Sequence, residues 1–183
     1  MSDDGLDELR RDVQYLKDRL AILDCVNTQS RGHDRHDVAL MASVYHDDAV
    51  DEHGPAVKRG AEYAEWANQA HAAAFADHLH HVTTHTCEID GDVAHCESYV
   101  IGTMVAKDRS SVLLVAGRYV DRLERRDGTW RIALRRCTIE WAMPGDASLL
   151  RSGTFSEFVK GRWDSSDLSY ARPLRLDTAA DRW

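Results

Sequence analysis

The chain has 183 residues, of which 43% are hydrophobic and 30% charged, with 11 glycines and 3 prolines. That balance supports one globular domain with a sizeable core and excludes disordered, collagen-like and low-complexity chains. The 31 acidic residues outnumber the 23 basic ones and leave a net charge of −8, so the broad positive field that phosphate backbones require is missing and nucleic acid is excluded as the main partner.

Met1 to Asp12 is acidic and has no apolar run, which predicts that no secretory signal peptide is present. No stretch approaches the roughly 18 apolar residues of a membrane-crossing helix. Cys25, Cys87, Cys96 and Cys137 contain no Cys-x-x-Cys pair. Free thiols in a cytoplasmic protein without a membrane partner are the expectation.

Leu6, Leu9, Val13, Leu16, Leu20 and Leu23 recur at alternating gaps of three and four, which predicts a helix running to about Asn27 with one apolar stripe. Ser30 to His36 reads as a polar connector, and Asp37 as the N-cap of a short helix through Val44. Ala49 to His53 reads as a brief strand ending at Gly54-Pro55, and the Ala-rich run from Gly60 to Phe75 as a third helix. The pattern then changes. Val82 to Ile89 and Ala94 to Ala106 read as strands joined by a hairpin turn at Asp90-Gly91. Val112 to Arg125 and Trp130 to Trp141 read as a second pair around Asp127-Gly128. Helices first and an antiparallel meander after predict an α+β fold with the helices on one face of a curved sheet. Beyond Pro144 the pattern weakens, Phe155 to Val159 is at most a short helix, and the end reads as an arm over the body or over a neighbouring subunit.

Ten histidines are many for this length. His81 and His85 have the spacing of a helical metal pair, but the residues between them form strands. Four strand residues span roughly 13 Å at about 3.3 Å each, too far for one ion with bonds of about 2.1 Å. No metal site is therefore expected, and His80 and His85 read as hydrogen-bonded strand residues. Asp34 lies in the charged run His33 to Asp37. A buried carboxylate beside a histidine fixes the tautomer and stabilises the imidazolium, which makes a general base. Alternation puts Arg131 and Arg135 on one face of the last strand and Arg136 on the other, where one of them could hold a developing anion. No phosphate loop, Gly-x-Ser-x-Gly elbow or His-Glu-x-x-His is present.

Several stretches carry a resemblance: Ser30 to Asp37, Val44 to Gly54, Ile89 to Ala94, Gly117 to Ile132, and Arg162 to Tyr170. Over about residues 8 to 172 the chain resembles the SnoaL-like branch of the nuclear-transport-factor-2-like superfamily. The resemblance implies one domain over residues 1–183, with a core at about 8–143 and a C-terminal arm at 144–183. The implied fold is a cone-shaped α+β barrel, three N-terminal helices packed on a strongly curved antiparallel sheet around a deep pocket.

Members of that family include scytalone and bile acid dehydratases, hexachlorocyclohexane dehydrochlorinase, ketosteroid isomerase and polyketide cyclases, several of which use an Asp–His dyad without metal or organic cofactor. The implied dyad is Asp34 with His81, chosen because His81 to His85 fits the dehydrochlorinase's histidine-to-asparagine register. Arg135 matches a pocket arginine and Tyr45 a pocket tyrosine, both implied to assist catalysis. Gln29 stands where the dehydrochlorinase has a lysine and Asp51 where it has a tryptophan, which argues against the same halide chemistry. Gln29, His53, Trp66 and Arg118 are the implied substrate contacts. The implied activity is a cofactor-independent lyase, dehydratase-like, acting on a hydrophobic cyclic or aromatic small molecule. Isomerase or aldol-type cyclase chemistry, or a non-catalytic ligand-binding module, are the alternatives. Relatives are commonly oligomers, so a homo-oligomer, by resemblance a trimer, is expected.

Overall fold

The computed structural model describes residues 3–183, so the first two residues of the acidic amino-terminal stretch lie outside the described residues. A long helix α1 (Asp3–Asp34) is followed by a short helix α2 (Val38–Ala42), strands β1 (Tyr45–His53) and β2 (Ala56–Arg59), and a third helix α3 (Gly60–Ala74). Four long strands complete the body: β3 (Phe75–Asp90), β4 (Val93–Ala106), β5 (Ser111–Arg126) and β6 (Thr129–Asp146). The strands form one curved, unclosed six-stranded sheet in the order β2-β1-β6-β5-β4-β3. Three helices pack against it in the cone-shaped α+β arrangement. The sheet is mixed rather than wholly antiparallel, because β1 runs parallel to β6. Tight hairpins dictate antiparallel pairing, but β1 and β6 are separated by β2, α3 and strands β3 to β5, so no turn imposes it there.

Both expected hairpins form, with Gly91 at φ 58° and the Asp127-Gly128 pair at φ 50° and 76°, the left-handed geometry such turns demand. The tail after β6 holds two short 3₁₀ turns, Ser148–Arg151 and Leu168–Tyr170, and the expected short helix at Phe155 to Val159 is turn instead. Among the described residues no helix is long and apolar enough to cross a membrane. All four cysteines are free.

Helix α1 runs past its predicted end to Asp34 because Gln29, Ser30, His33 and Asp34 are buried. The segment that reads as a polar connector is helix with its polar residues turned inward. It closes with His36 at φ 49°. The His36 N–H donates to the His33 carbonyl at 3.2 Å and the Asp37 N–H to the Gly32 carbonyl at 2.9 Å, which is the Schellman pattern. Asp37 caps α2 as expected, its carboxylate accepting from Leu40 N–H at 2.9 Å. The apolar stripe of α1 meets little of this chain: Leu9, Leu16 and Leu20 are 50%, 64% and 60% exposed. Apolar burial begins at Ile22, which joins Met41, Tyr45, Tyr63, Leu123 and Ile132 in the main core.

Glycine is required where α1 crosses α2, since a Cβ on Gly32 would lie 2.5 Å from the Met41 backbone nitrogen. Overpacking of this kind costs about 1–3 kcal/mol, against a gain of about 0.5–1 kcal/mol from helix propensity. Gly32→Ala is therefore expected to lower the unfolding free energy in urea, despite being a helix-favouring change; unchanged or higher stability would show that the crossing is loose.

Candidate active site

The end of α1 and the start of β3 build the site together. Asp34 is 7% exposed. Its two carboxylate oxygens accept the His80 backbone N–H at 3.1 and 2.9 Å, and Oδ1 lies 2.7 Å from His80 Nδ1. A carboxylate on Nδ1 sets that nitrogen as the donor and leaves Nε2 with its lone pair. The imidazole stacks on His33, with ring centroids 4.7 Å apart and planes 23° from parallel. A cavity of about 210 Å³ opens beside the pair, walled by Asn27, Ser30, Arg31, Arg35 and Val82. A larger hollow of about 850 Å³ lies elsewhere, between the middle of α1 and the Gly128–Arg131 end of β6. It contains neither Asp34 nor His80, so the smaller cavity is the one beside the pair.

The partner of Asp34 is thus His80, not His81. His81 points to the outer face and is exposed, with Nδ1 3.2 Å from the Ile101 carbonyl of β4. Strand β3 starts at Phe75, well before the predicted Val82, and its pairing with β4 shifts between Val82 and His85. The bulge puts His85 on the inner face, 2.9 Å from Ser98 Oγ. The four-residue spacing from His81 therefore does not mark a shared face.

Arg135 is fully buried on the inner face. It binds Asp121 in bidentate fashion at 2.8 and 2.7 Å and lies 4.0 Å over the Tyr119 ring, while its Nη1 has no partner. Arg131 does not share this face: a register shift between Arg122 and Leu123 pairs Arg131 with Glu124 and Arg135 with Asp121. Arg118 is also misplaced by the sequence reading. Alternation with buried Tyr119 sends it outward, where it bridges Glu97 and Glu140 at 2.6 Å each.

Tyr45 is buried and its hydroxyl donates to Asp51 at 2.7 Å. Burial, then the Asp51 charge, pushes its pKa well above the ordinary phenol value, so it is a fixed donor and not a base. Neither Tyr45 nor Arg135 hydrogen-bonds to the dyad. Gln29 is 1% exposed with an unpartnered Oε1. His53 stacks on Tyr63 at 5.1 Å, and Trp66 sits 40% exposed on α3 at 5.9 Å from the same ring.

Sequence reasoning missed a cluster of imidazoles around the dyad. His33 of α1, His71 of α3 and His78 of β3 meet behind His80. Burial first, and repulsion between the rings second, lower all three: His33 well below the usual value, His71 to about 4 and His78 to about 3. Ring nitrogens of these three lie within 4.8 Å of one another, as do candidate atoms of Asp34, His78 and His80 and of His85, Cys87 and Cys96. The tail covers the cluster. Trp163 lies 4.4 Å from His36 and 5.0 Å from His78 between ring centroids. Asp167 meets Arg35 at 3.5 Å, and Tyr170 donates to Asp37 at 3.3 Å.

His53 gives a pH-dependent signature. Burial disfavours its charge, but Asp51 and then Cys137 outweigh that and raise its pKa from 6.5 to about 9. A raised folded pKa adds stability that is complete below 6.5 and disappears as pH climbs through 9. The unfolding midpoint should therefore decline between those pH values in the natural chain and decline less in His53→Gln; parallel profiles would mean that His53 is not held charged.

Comparison with known proteins agrees with this architecture. Residues 14–136 match the SnoaL-like domain family. Hexachlorocyclohexane dehydrochlorinase LinA type 3 from Novosphingobium barchaimii LL02 is 26% identical, with a TM-score of 0.68 over 73% of this chain and 94% of that one. A Mycobacterium tuberculosis protein of unknown function is 28% identical, with a TM-score of 0.62 over 70% of this chain and 75% of that one. A scytalone dehydratase-like protein from Novosphingobium aromaticivorans DSM 12444 shares the fold at 17% identity, with a TM-score of 0.64 over 73% of this chain and 90% of that one. No curated protein matches. With the family's span covering both partners of the Asp34–His80 pair and all six strands in part or whole, the chain belongs to the SnoaL-like domain family.

Proposed function

We propose that the chain is a lyase that removes a small leaving group, in the manner of a dehydratase, from a hydrophobic cyclic or aromatic small molecule. The observation that carries this is the 2.7 Å contact between His80 Nδ1 and the buried Asp34 carboxylate. His80 Nε2 takes a proton from carbon. Asp34 holds the ring in that tautomer and stabilises the imidazolium, and the base returns the proton or hands it to the departing group. Ionisable side chains supply each of these steps, so the reading needs no organic cofactor. The likeness to a dehydrochlorinase supports elimination, while Gln29 and Asp51 on the inner surface differ from that enzyme's expected pocket and argue for another leaving group.

A second reading is isomerase or aldol-type cyclase chemistry. It draws on Arg135 Nη1, an unpartnered buried cationic donor of the kind that stabilises an enolate, although Arg135 is not among the residues that wall the small cavity. Here the proton returns to the substrate and nothing leaves.

General-base catalysis contributes about 10² to 10⁴ in rate. A panel of cyclic and aromatic hydroxyketones, followed by mass spectrometry in D₂O, separates the readings. Loss of the mass of water marks elimination, and deuterium uptake without loss marks isomerase or aldol chemistry. His80→Ala and Asp34→Asn should each lower turnover by about 10² or more, while His81→Ala should not. Full turnover in either dyad variant refutes the assignment, and tight binding without turnover or exchange favours a ligand-binding module.

The chain is further expected to self-associate, with a trimer as the form that the resemblance implies. The exposed leucines of α1 and the exposed Ile139, Trp141 and Met143 of β6 support this. Sedimentation should give a mass above that of one chain, reduced by Trp141→Glu or Leu16→Glu; a monomer at micromolar concentration refutes it.

A further inference from the structure

Three imidazoles converge behind the dyad from three different elements: His33 from the last turn of α1, His71 from the last turn of α3, and His78 from the start of β3. Their ring centroids are 4.3, 4.9 and 4.6 Å apart. His33 and His78 are almost completely buried and His71 is half-buried. Each carries a buried nitrogen with no hydrogen-bond partner, Nε2 of His33 and Nδ1 of both His71 and His78. Buried polar atoms are almost always partnered, so three orphans in one place require an explanation.

His78 shows which form is present. Its Nε2 lies 3.0 Å from the His33 carbonyl oxygen, so Nε2 carries the proton and donates it. Nδ1 is then a bare lone pair among other buried rings. A ring anchored through one N–H to a backbone carbonyl, with the opposite nitrogen bare, is the usual arrangement of a metal-bound histidine. The neutral state of all three rings is also the form that binds metal.

We propose that His33, His71 and His78 form a three-imidazole site for a divalent transition-metal ion of the Zn²⁺ class, with water in the fourth position. Three neutral nitrogens suit Zn²⁺, Co²⁺ or Ni²⁺ and not Ca²⁺ or Mg²⁺, which prefer oxygen. Around a tetrahedral ion with bonds of about 2.1 Å, ligand nitrogens sit about 3.4 Å apart. The present separations, within 4.8 Å, must contract to reach that value when the ion binds. The neighbouring set of Asp34, His78 and His80 is the weaker candidate, because the Asp34 carboxylate and His80 Nδ1 already bind each other at 2.7 Å. The ion ties α1, α3 and β3 together and fixes the backbone that aims His80. It is independent of which reaction the dyad performs.

The test is Co²⁺ titration of the full-length chain after chelator stripping. One equivalent should be taken up, with the visible absorption of nitrogen-ligated Co²⁺, and Zn²⁺ should displace it. Zn²⁺ at a hundredfold above its Kd should raise Tm by about 5–10 °C. His71→Gln, at the most exposed of the three positions, should lose the absorption and the Tm shift, while His81→Gln on the outer face keeps both. Should His71→Gln fail to fold by circular dichroism, His71→Cys retains a ligating atom and should add a near-ultraviolet sulfur-to-cobalt band. The proposal is overturned by an absence of saturable uptake in the natural chain or by unaltered spectra in the folded His71 variants. Loss of binding in His80→Gln with retention in His71→Gln would place the ion on the Asp34 set and overturn it equally.

Discussion

The site depends on an anion placed at the unfavourable end of a helix. Asp34 closes α1, where the backbone carbonyls make the potential negative, and it is nearly shut off from water. A carboxylate there is sustained only by donors directed at it, and His80 supplies two, one from its backbone and one from its ring. Three structural features serve that contact. Helix α1 must continue through Asp34, β3 must begin early enough for His80 to lie opposite, and the left-handed turn at His36 must send the chain away into α2.

The fold was more legible than the site, and particular residues show why. The Asp-Gly turns and the β-branched runs mark the strands by local chemistry alone, and Asp37 announces its helix by capping it. The end of α1 was obscured because Ser30, His33 and Asp34 are polar, and polarity in a sequence suggests solvent when these side chains are in fact interior. Asp34 stands out only through the resemblance, and the structure sets His80, one position from the expected His81, against it. Periodicity fixes faces only relative to a known starting point, and the start of β3 at Phe75 and its bulge before His85 leave no local mark. The same applies to Arg131 and Arg135, which the register shift near Leu123 separates. The histidines that meet at His33 could not be foreseen, since three elements bring them together and no spacing encodes it.

The interior of the cone is polar as well as aromatic. The Arg135–Asp121 pair is fully buried, and such pairs commonly contribute little net stability because desolvation offsets their attraction. Its worth lies in geometry: the fork fixes the guanidinium across β5 and β6, leaving one N–H direction unused. The chain from Tyr45 through Asp51 to His53 does the same along β1.

The segment Arg162 to Tyr170 lies beyond the matched residues 14–136, yet Trp163 roofs the imidazoles and Asp167 grips Arg35 at the cavity wall. Two layers thus meet at one site: a floor laid down by the sheet and helices, and a ceiling laid by the tail. Changes in the ceiling can reshape the space beside Asp34 and His80 without altering the elements that hold that pair.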